Sequence, residues 1–413
     1  MQNKMISLRK GRLGLLRRGH PWIYKGQFTQ VAHFIQPGDI VSVVNSDGKS
    51  VGRGYYNPRS EISIRILSFK NEPIDGNFFR KKITEAVEKR KALLSRTNAY
   101  RAIFGEADGL PGLIVDVYND TAVLQILTLG MEKLKPLALE AVREVLRPKY
   151  VYEKSESPFR KLEGLKDVRI WYGAKGEIRE NKGEIREERG EIREEKGVIE
   201  IFEGKVKFLV DIENGHKTGF YLDQRRSRMA LAGLSKGKKV LDLFCYAGGF
   251  SISAAVYGAQ KALGADIKEK WLELARNNAG LNNVSDRTEF VKGDAFSILE
   301  DIHKSGVTFD IIIIDPPSFL KKKESLASAS RGYRQLNTLA MKTLSGDGIL
   351  ATFSCSHNMP NEVFSDILKR SAAEAGKKTA ILKRCHQAED HPVVRTIPET
   401  EYLKGYFLRV SAK

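Results

Sequence analysis

The chain has 413 residues, 41% of them apolar, and a net charge of +18. This length predicts two or three domains, and the apolar fraction is ordinary for a globular protein. The sequence contains no run of about 18 apolar residues, which argues against a transmembrane helix. The basic start lacks the sustained apolar core of a secretory signal, so we expect a cytoplasmic protein.

Positive charge is concentrated at the amino-terminal end. Residues 1–70 hold 12 Lys or Arg against 3 Asp or Glu, which places half of the net charge in one sixth of the chain. Such concentration is typical of a protein that binds a polyanion, with nucleic acid as the first candidate. A membrane surface is a weaker candidate because no amphipathic helix accompanies the charge. A merely solvated basic face is the alternative.

The first 72 residues have the pattern of short strands separated by Gly, Pro, Asn and Asp turns. Ser46-Asp47-Gly48 is predicted to be a hairpin turn, since glycine tolerates positive φ. We therefore expect residues 1–72 to form a small β-barrel.

Residues 73–200 differ in character and are predicted to form a compact α+β domain. Helical periodicity extends over residues 77–96, a hairpin is predicted over 112–129, and a second helix is expected over 134–148. Residues 176–196 repeat with a period of seven. One Ile per period cannot make a packed seam, so we interpret this segment as an exposed low-complexity insertion and a candidate hairpin.

From residue 201 onward, apolar strand-like runs alternate with helical stretches. This alternation predicts a mostly parallel α/β sheet with helices on both faces, over residues 201–413. An antiparallel pair is expected before it, over 198–212, and a closing antiparallel pair after it. The predicted strands of the sheet are KKVLDLF, KALGADI, TEFVKGD, FDIIIID and GILATFS, with ILKRC and YFLRV as the closing pair.

A buried strand, a glycine turn and a helix follow one another over residues 240–251. Ligands of doubly wound sheets bind beyond the carboxyl ends of the strands, and Gly248 and Gly249 let the backbone approach a ligand closely. The segment is not GxGxxG, so a dinucleotide site is disfavoured. Asp242 instead suits a ligand that bears an amino acid, because its carboxylate can meet an ammonium directly or through water.

Two further acids stand at the ends of the next two strands. Asp266 follows Asp242 by 24 residues. In nucleotide-binding doubly wound folds, an acid at about this spacing hydrogen-bonds the ribose hydroxyls. Asp294, followed by Ala295, is placed to meet an adenine amino group. Each Asp alone is equally a turn or helix-cap residue. Three acids behind a Gly-Gly turn favour a cofactor site.

These residues carry a family resemblance. Rossmann-type methyltransferases that use S-adenosylmethionine have successive motifs similar to DLFCYAGGFS, ADIKEKWLELARNNAGLN, GDAF and DPPSF. One RNA-modifying branch has a preceding segment that resembles HKTGFYLDQR and a carboxy-terminal signature that resembles HQAEDHPV with PETEYLKGYF. PUA domains, which are small RNA-binding β-barrels, open with a segment similar to LRKGRLGLLRRGHPWIYKG. Together the motifs resemble PUA-containing cytosine-C5 methyltransferases of large-subunit ribosomal RNA, over nearly the whole chain except residues 176–196.

The resemblance implies a Rossmann-like methyltransferase domain over 201–413, preceded by a PUA-type barrel over 1–72 and an α+β linking domain over 73–200. It implies S-adenosylmethionine as cofactor and large-subunit ribosomal RNA as partner. It also implies that the backbone around Phe244, Tyr246 and Gly248 holds the methionine part of the cofactor. The side chains that it implies around the cofactor are Tyr221, Asp223, Gln224 and Arg225.

The target-base site is expected where two neighbouring strands end. Asp315-Pro316-Pro317-Ser318-Phe319 follows one strand, and two prolines fix a stiff turn that can grip an extruded base, with Phe319 stacking on it. Cys355 follows the next strand. In this fold those strands are neighbours, so Asp315 and Cys355 should lie at the same rim of the sheet.

Cys355 is the predicted nucleophile and Asp315 the group that stabilises or protonates the N3 edge of cytosine. The better-known RNA cytosine-C5 enzymes carry a second Cys where this sequence has Ser318, so the base that removes the C5 proton is unassigned. Cys245 is expected to be structural. His386 and His391 lie near Cys385 in sequence and are candidates for shaping the base pocket. Their spacing is not that of a metal site, and we expect no metal.

Basic and aromatic residues of the first domain are candidates for gripping RNA, since they combine charge with stacking surface. His20-Pro21-Trp22 is equally a core-packing turn. The candidates are Arg9, Lys10, Arg12, Arg17, Arg18, Trp22 and Tyr24.

Two rival functions are open at this stage. A methyltransferase directed to a base nitrogen would use the DPPSF turn without a cysteine. A non-catalytic RNA-binding assembly factor would keep the fold without activity, although the intact acids argue against it. The barrel and linking domain also offer surface for a homodimer, and the sequence does not identify the modified nucleotide.

Overall fold

The structure of the protein is a computed structural model that describes residues 4–173, 178–180, 197–317 and 326–413. The chain divides into two compact units. The first unit comprises Met1–Ile201, Val210–Leu222 and Glu389–Thr400, and the second comprises Phe202–Leu209, Asp223–Ala388 and Glu401–Lys413. The three-domain division expected from the sequence stays a prediction.

The first unit contains two β-sheets and short and long helices. Its helices are Gly14–Arg17 (α1), Gly76–Glu88 (α2), Leu129–Leu146 (α3) and Pro158–Leu162 (α4). Its strands are Met5–Ser7 (β1), Trp22–Ile23 (β2), Ile40–Val44 (β3), Ser50–Tyr56 (β4), Ile64–Ser68 (β5), Ala99–Phe104 (β6), Leu113–Tyr118 (β7), Thr121–Ile126 (β8), Tyr150–Ser155 (β9), Val168–Tyr172 (β10) and Ile178–Glu180 (β11).

The amino-terminal sheet has five strands in the order β1-β3-β4-β5-β2. β1 pairs with β3 in parallel, and the other pairs are antiparallel. The β3–β4 turn is the one that the sequence predicts. Gly48 has a φ of +78°, and Asn45 Oδ1 accepts hydrogen bonds from the N–H groups of Asp47 and Lys49 at 3.0 and 2.8 Å. The prediction of a hairpin turn at this position is confirmed.

The second sheet of this unit has six strands in the order β11-β10-β9-β8-β7-β6. β7 and β8 form the predicted hairpin, with Tyr118 opposite Thr121. α3 then crosses over to β9, which pairs with β8 in parallel. β11 falls within the predicted insertion and pairs antiparallel with β10. Residues 176–177 and 181–196 of that insertion lie outside the described residues.

The helix predicted over residues 77–96 is shorter in the structure. Asp75 caps its start by accepting a hydrogen bond from Phe78 N at 3.0 Å, and α2 ends at Glu88. Two residues later the Arg90 side chain turns inward and forms a two-point ion pair with Asp108, at 2.8 and 2.7 Å. A buried ion pair of this kind outweighs the local helical pattern, because an unpaired buried charge costs several kcal/mol. The predicted extension to residue 96 is therefore wrong.

Val198–Glu203 (β12) and Val206–Asp211 (β13) form the two-stranded sheet that the sequence predicts before the large sheet. The helices of the second unit are Arg225–Ala232 (α5), Gly249–Val256 (α6), Glu269–Leu281 (α7), Ala295–Lys304 (α8), Leu326–Thr343 (α9) and Asn361–Glu374 (α10). The strands that lie wholly in this unit are Lys239–Leu243 (β14), Lys261–Asp266 (β15), Thr288–Lys292 (β16), Phe309–Ile314 (β17), Leu344–Ser354 (β18), Lys377–Cys385 (β19) and Lys404–Ala412 (β20).

The large sheet has the order β16-β15-β14-β17-β18-β20-β19. Its first five strands are parallel, and β20 is antiparallel to both β18 and β19. The four isoleucines from Ile311 to Ile314 are fully buried, as expected for a central strand covered on both faces. The predicted α/β sheet with a closing antiparallel pair is confirmed. β14 lies between β15 and β17, at the point where the strand order reverses.

Among the described residues, no helix combines the length and the apolar character needed to cross a membrane.

Candidate active site

The turn after β14 has an unusual backbone. Phe244, Tyr246 and Gly248 have φ values of +66°, +50° and +77°, and for the first two this left-handed conformation is strained. Alternating left-handed residues point successive N–H groups into one concavity, which favours a bound anion. A Cβ on Gly248 would lie 2.7 Å from Ile252 Cδ1, so a larger residue would have to displace Ile252, and the positive φ itself favours glycine.

Two side chains hold this turn in shape. Asp266 Oδ2 accepts a hydrogen bond from Tyr246 N at 3.0 Å, and its Oδ1 accepts one from Lys268 N at 3.1 Å. Asn278, buried on α7, donates from Nδ2 to the carbonyl oxygen of Ala247 at 3.2 Å. Asn278 was not singled out in the sequence. Its signal is an amide on the face of α7 that carries the buried Trp271 and Ala275.

Asp242 is fully buried and organises the start of α6. Its Oδ2 accepts hydrogen bonds from the backbone N and the hydroxyl of Ser251, at 3.0 and 2.6 Å. Burial, together with the negative charges of Asp315 and Asp266, raises the pKa of Asp242 to about 7, although the Ser251 hydrogen bonds oppose the shift. Asp242 therefore satisfies the third N–H group of α6 from outside the helix, and the N–H groups of Gly249 and Phe250 have no partner within it.

Asp294 is the cap of α8. Its Oδ1 accepts hydrogen bonds from Phe296 N and Ser297 N at 3.0 and 3.2 Å, and the side chain is exposed; Ala295, the first residue of the helix, is buried. Thus Asp242, Asp266 and Asp294 all bind backbone N–H groups, which was the alternative considered for each. A ligand role is compatible with these contacts and stays a prediction.

The residues around the β14 turn fit a ligand that carries an amino-acid group. The strained turn and the first two N–H groups of α6 offer donors to a carboxylate, and Asp242 offers an acid within the same strand–turn–helix segment. Asp266 stands at the end of the neighbouring strand β15.

The segment before α5 reaches the Asp-Pro-Pro turn. Gln224 Nε2 donates a hydrogen bond to Asp315 Oδ2 at 3.0 Å, and Asp223 Oδ2 accepts one from the Tyr402 hydroxyl at 2.6 Å. Arg225 is buried in the first turn of α5. Tyr221 belongs to the first unit, where its hydroxyl contacts His216 Nδ1 at 3.0 Å.

The ends of β17 and β18 bring the predicted catalytic residues together. Ile314 is opposite Thr352 in the parallel ladder, so Asp315 and Cys355 follow the same edge of the sheet. Cys355 Sγ lies 4.0 Å from the carbonyl oxygen of Pro316 and is partly exposed. Pro316 is buried and Pro317 exposed. Ser318 and Phe319, which were predicted to contact the base, lie outside the described residues.

The other two cysteines are buried thiols. Burial raises the pKa of Cys245 well above its usual range, and it raises the pKa of Cys385 to about 11. A thiol that resists ionisation is a poor nucleophile, so both environments suit a structural role. The environment of Cys245 agrees with the expectation from the sequence.

The two histidines near Cys385 differ in environment. His386 is exposed in the second unit. His391 is buried in the first unit, with Nδ1 3.2 Å from Asp390 Oδ1 and its ring 5.5 Å from that of Phe104. Their contribution to a base pocket stays a prediction. Within the described parts of the chain, no group of three or more His, Cys, Asp or Glu side chains is placed to hold a metal ion.

The candidate basic residues at the amino-terminal end are solvent-facing, whereas the candidate aromatic residues are partly or fully packed. Trp22 donates from Nε1 to Glu106 Oε1 at 3.0 Å, and buried His20 contacts Glu399 Oε2 at 3.0 Å. These contacts favour the core-packing interpretation of His20-Pro21-Trp22. Tyr24 is partly buried with its ring edge-on to Trp22. The five basic candidates are all exposed: Arg9, Lys10, Arg12, Arg17 and Arg18.

Two family models match the chain. A model described as an S-adenosylmethionine-dependent methyltransferase matches residues 162–404, and a model described as a PUA-like domain matches residues 6–69. The first match covers more than half of the chain and includes the whole β14 turn and both strand ends described above. The chain belongs to the family of S-adenosylmethionine-dependent methyltransferases.

Individual proteins agree with this assignment. A relative from Aeromonas hydrophila, named Ribosomal RNA large subunit methyltransferase I, is 41% identical over 413 residues, covering 98% of this chain and 98% of the relative. A solved Streptococcus mutans chain, assigned as a SAM-dependent methyltransferase, has a TM-score of 0.80 at 22% identity and covers 98% of this chain and 99% of its own. The structure of SMU.776 complexed with SAH has a TM-score of 0.79 at 23% identity, with coverages of 99% and 100%. Both structures establish the shared fold.

Proposed function

We propose that this protein transfers a methyl group from S-adenosylmethionine to C5 of a cytosine in large-subunit ribosomal RNA. Family membership supports methyl transfer, and the name of the Aeromonas hydrophila relative supports the RNA. The observation that carries the cytosine chemistry is the 4.0 Å distance between Cys355 Sγ and Pro316 O. It puts a partly exposed thiol beside the turn that carries Asp315.

The cofactor is proposed to lie at the end of β14. N–H groups of the Phe244–Gly248 turn and of the start of α6 would hold its carboxylate, and Asp242 its ammonium. Asp266 would bind the ribose hydroxyls and Asp294 the adenine amino group. When bound, S-adenosylmethionine supplies the methyl group that C5 takes, and it leaves as S-adenosylhomocysteine.

Cysteine chemistry is needed because cytosine C5 is a poor nucleophile. In the proposed reaction the Cys355 thiolate adds to C6, which forms a C–S bond and makes C5 nucleophilic. Asp315 stabilises the N3 edge of the base or donates a proton to it. After C5 is methylated, its proton leaves to a base, the C–S bond breaks and the thiolate is restored.

RNA binding is proposed for residues 1–72. The PUA-like match and the exposed arginines on this part of the chain support that role, since arginines neutralise backbone phosphates. The packed contacts of Trp22 make the arginines better candidates for phosphate contact than Trp22 is for stacking.

Methyl transfer from labelled S-adenosylmethionine to unmodified large-subunit ribosomal RNA tests the proposal, with wild type and Cys355→Ala compared and the product nucleoside identified. The expected result is 5-methylcytidine from wild type only. A methylated nitrogen that is insensitive to Cys355→Ala would support the base-nitrogen alternative. Cofactor affinity that is absent altogether would support a non-catalytic assembly factor.

A further inference from the structure

Lys404 is anchored next to Cys355 by the sheet. It is the first residue of β20 and lies opposite Ser354, the last residue of β18. Its Nζ donates hydrogen bonds to the carbonyl oxygen of Ser356 at 2.7 Å and to that of Tyr402 at 3.0 Å. The ammonium is therefore fixed to the backbone of the residue that follows Cys355.

Among the described residues, the close partners of the ammonium are the two carbonyl oxygens, and no carboxylate forms an ion pair with it. The Lys404 side chain is nevertheless partly buried. Burial lowers the pKa of Lys404, and the negative charges of Glu401 and of an ionised Cys355 oppose this shift. A partly buried cation without an ion pair costs free energy, which suggests a use for its charge.

We propose that the Lys404 ammonium holds Cys355 in its thiolate form, which rests on the proposed function of Cys355 as nucleophile. An electrostatic interaction is mutual: a thiolate that stabilises the ammonium is stabilised by it to the same extent. Two of the three Nζ hydrogens are donated to carbonyl oxygens, so the ammonium is held in place, and the third has no partner among the described residues. Lys404 acts through Cys355 and is a positioning residue.

Two titratable groups near Cys355 among the described residues do not supply this charge. They are Asp315, directly after β17, and the Tyr333 hydroxyl on α9; the pKa of Tyr333 is raised chiefly by burial, with Cys355 and Asp315 adding to the shift. Neither group is positive in any protonation state. His357 lies two residues after Cys355, with its ring 5.4 Å from that of Tyr402. It is the neighbouring group whose protonation has to be separated from the effect of Lys404.

The test is the pH dependence of Cys355 alkylation by iodoacetamide in the full-length protein, read on the Cys355 peptide by mass spectrometry. Lys404→Gln keeps donors for the two carbonyl oxygens and removes the charge, Lys404→Arg keeps the charge, and His357→Gln is the control. The expected result for Lys404→Gln is an alkylation midpoint about one pH unit higher, and a rate at pH 7 about tenfold lower. Lys404→Arg should restore most of the rate, and His357→Gln should match wild type.

Labelling of the buried Cys245 and Cys385 peptides in the same samples reports unfolding. If Lys404→Gln is unfolded by this measure, Lys404→Met provides a second neutral variant. A wild-type midpoint in a folded neutral variant would overturn the proposal. The outcome is separable from the proposed function. If wild type makes 5-methylcytidine in a Cys355-dependent reaction but Lys404→Gln leaves the alkylation midpoint unchanged, only the role of Lys404 is rejected. If the midpoint shifts but the product is methylated on a nitrogen, the cytosine chemistry is rejected, and with it the use of the thiolate.

Discussion

Gln224 Nε2 donates a hydrogen bond to Asp315 Oδ2 at 3.0 Å. Gln224 lies directly before α5, and Asp315 directly after β17, so the contact joins two segments that are 91 residues apart. Within the described residues, the buried Oε1 of Gln224 has no hydrogen-bond partner. The amide therefore orients one carboxylate oxygen of Asp315 and leaves an acceptor of its own for a ligand.

Replacement of Gln224 by Leu should lower kcat. The carboxylate of Asp315 would lose its fixed orientation, and misplacement of a reacting group by about 1 Å can cost up to ~100-fold in rate. We expect the loss in kcat to be about 10- to 100-fold, measured in steady-state methyl-transfer assays. Cofactor affinity, measured by calorimetry, should change less than kcat.

Gln224→Glu is the matched variant, since it keeps the size of the side chain and replaces the donor by a second carboxylate. Two carboxylates about 3 Å apart cannot both ionise readily, so one pKa rises. Activity of this variant should be lower than wild type at pH 8 and recover in part at pH 6. An unchanged pH profile would contradict the role assigned to the Gln224–Asp315 contact.

The buried acid Asp242 should make stability depend on pH. Its pKa of about 7 in the folded protein is above the value of about 3.9 in an unfolded chain. The folded state therefore binds the proton more tightly. The stabilisation is fully present below about pH 4 and is lost as pH rises from about 4 to about 7. Above about pH 7 Asp242 is ionised in both the folded and the unfolded state, so its contribution to stability no longer changes with pH.

Urea denaturation of wild type and Asp242→Asn at several pH values measures this effect. The asparagine cannot ionise, so the difference in unfolding free energy between the two proteins should move by about 2–4 kcal/mol in favour of Asn between pH 4 and pH 8. Asp294→Asn, at the exposed cap of α8, is the control and should show a much smaller change. A pH-independent difference for Asp242→Asn would show that the carboxyl is ionised without penalty.

Charge on the first unit should control RNA affinity. In the triple variant Arg12, Arg17 and Arg18→Gln, three exposed cations are removed, and the slope of log affinity against log salt should fall by about 2–3. The control removes three exposed lysines of the second unit, Lys236, Lys238 and Lys239→Gln. Filter binding at several salt concentrations compares them. Equal losses in the two variants would mean that net charge, and not the position of the arginines, governs binding.

Regular elements of this protein are readable from its sequence, because their patterns are local. The apolar run that ends at Ile314 predicts a buried central strand. Together with the next strand-like run, which ends at Ser354, it predicts that Asp315 and Cys355 lie at the same edge of the sheet. The hairpin turn at Gly48 was equally readable. The helical periodicity gave a wrong prediction where a contact between distant residues determines the backbone. The helix ends before Arg90, whose side chain pairs with Asp108.

The finer parts of the candidate site depend on contacts between distant residues. Left-handed φ at Phe244 and Tyr246 is not coded by residue type, since neither is a glycine or an asparagine. Asn278 reaches the turn from α7, and Lys404 reaches Ser356 only because β20 pairs with β18. Such pairings bring together residues that no sequence spacing connects, so the contacts of Asn278 and Lys404 are visible only in the structure.

Trapping of a covalent RNA adduct would show whether Cys355 is the nucleophile. RNA that carries 5-fluorocytosine at the target position is incubated with the protein and S-adenosylmethionine; fluorine at C5 cannot leave as a proton, so elimination of the sulfur is blocked. We expect a denaturation-resistant complex whose cross-linked peptide contains Cys355, and no complex with Cys355→Ser. Methyl transfer without a complex, or a complex that survives Cys355→Ser, would contradict the assignment of Cys355 as the nucleophile.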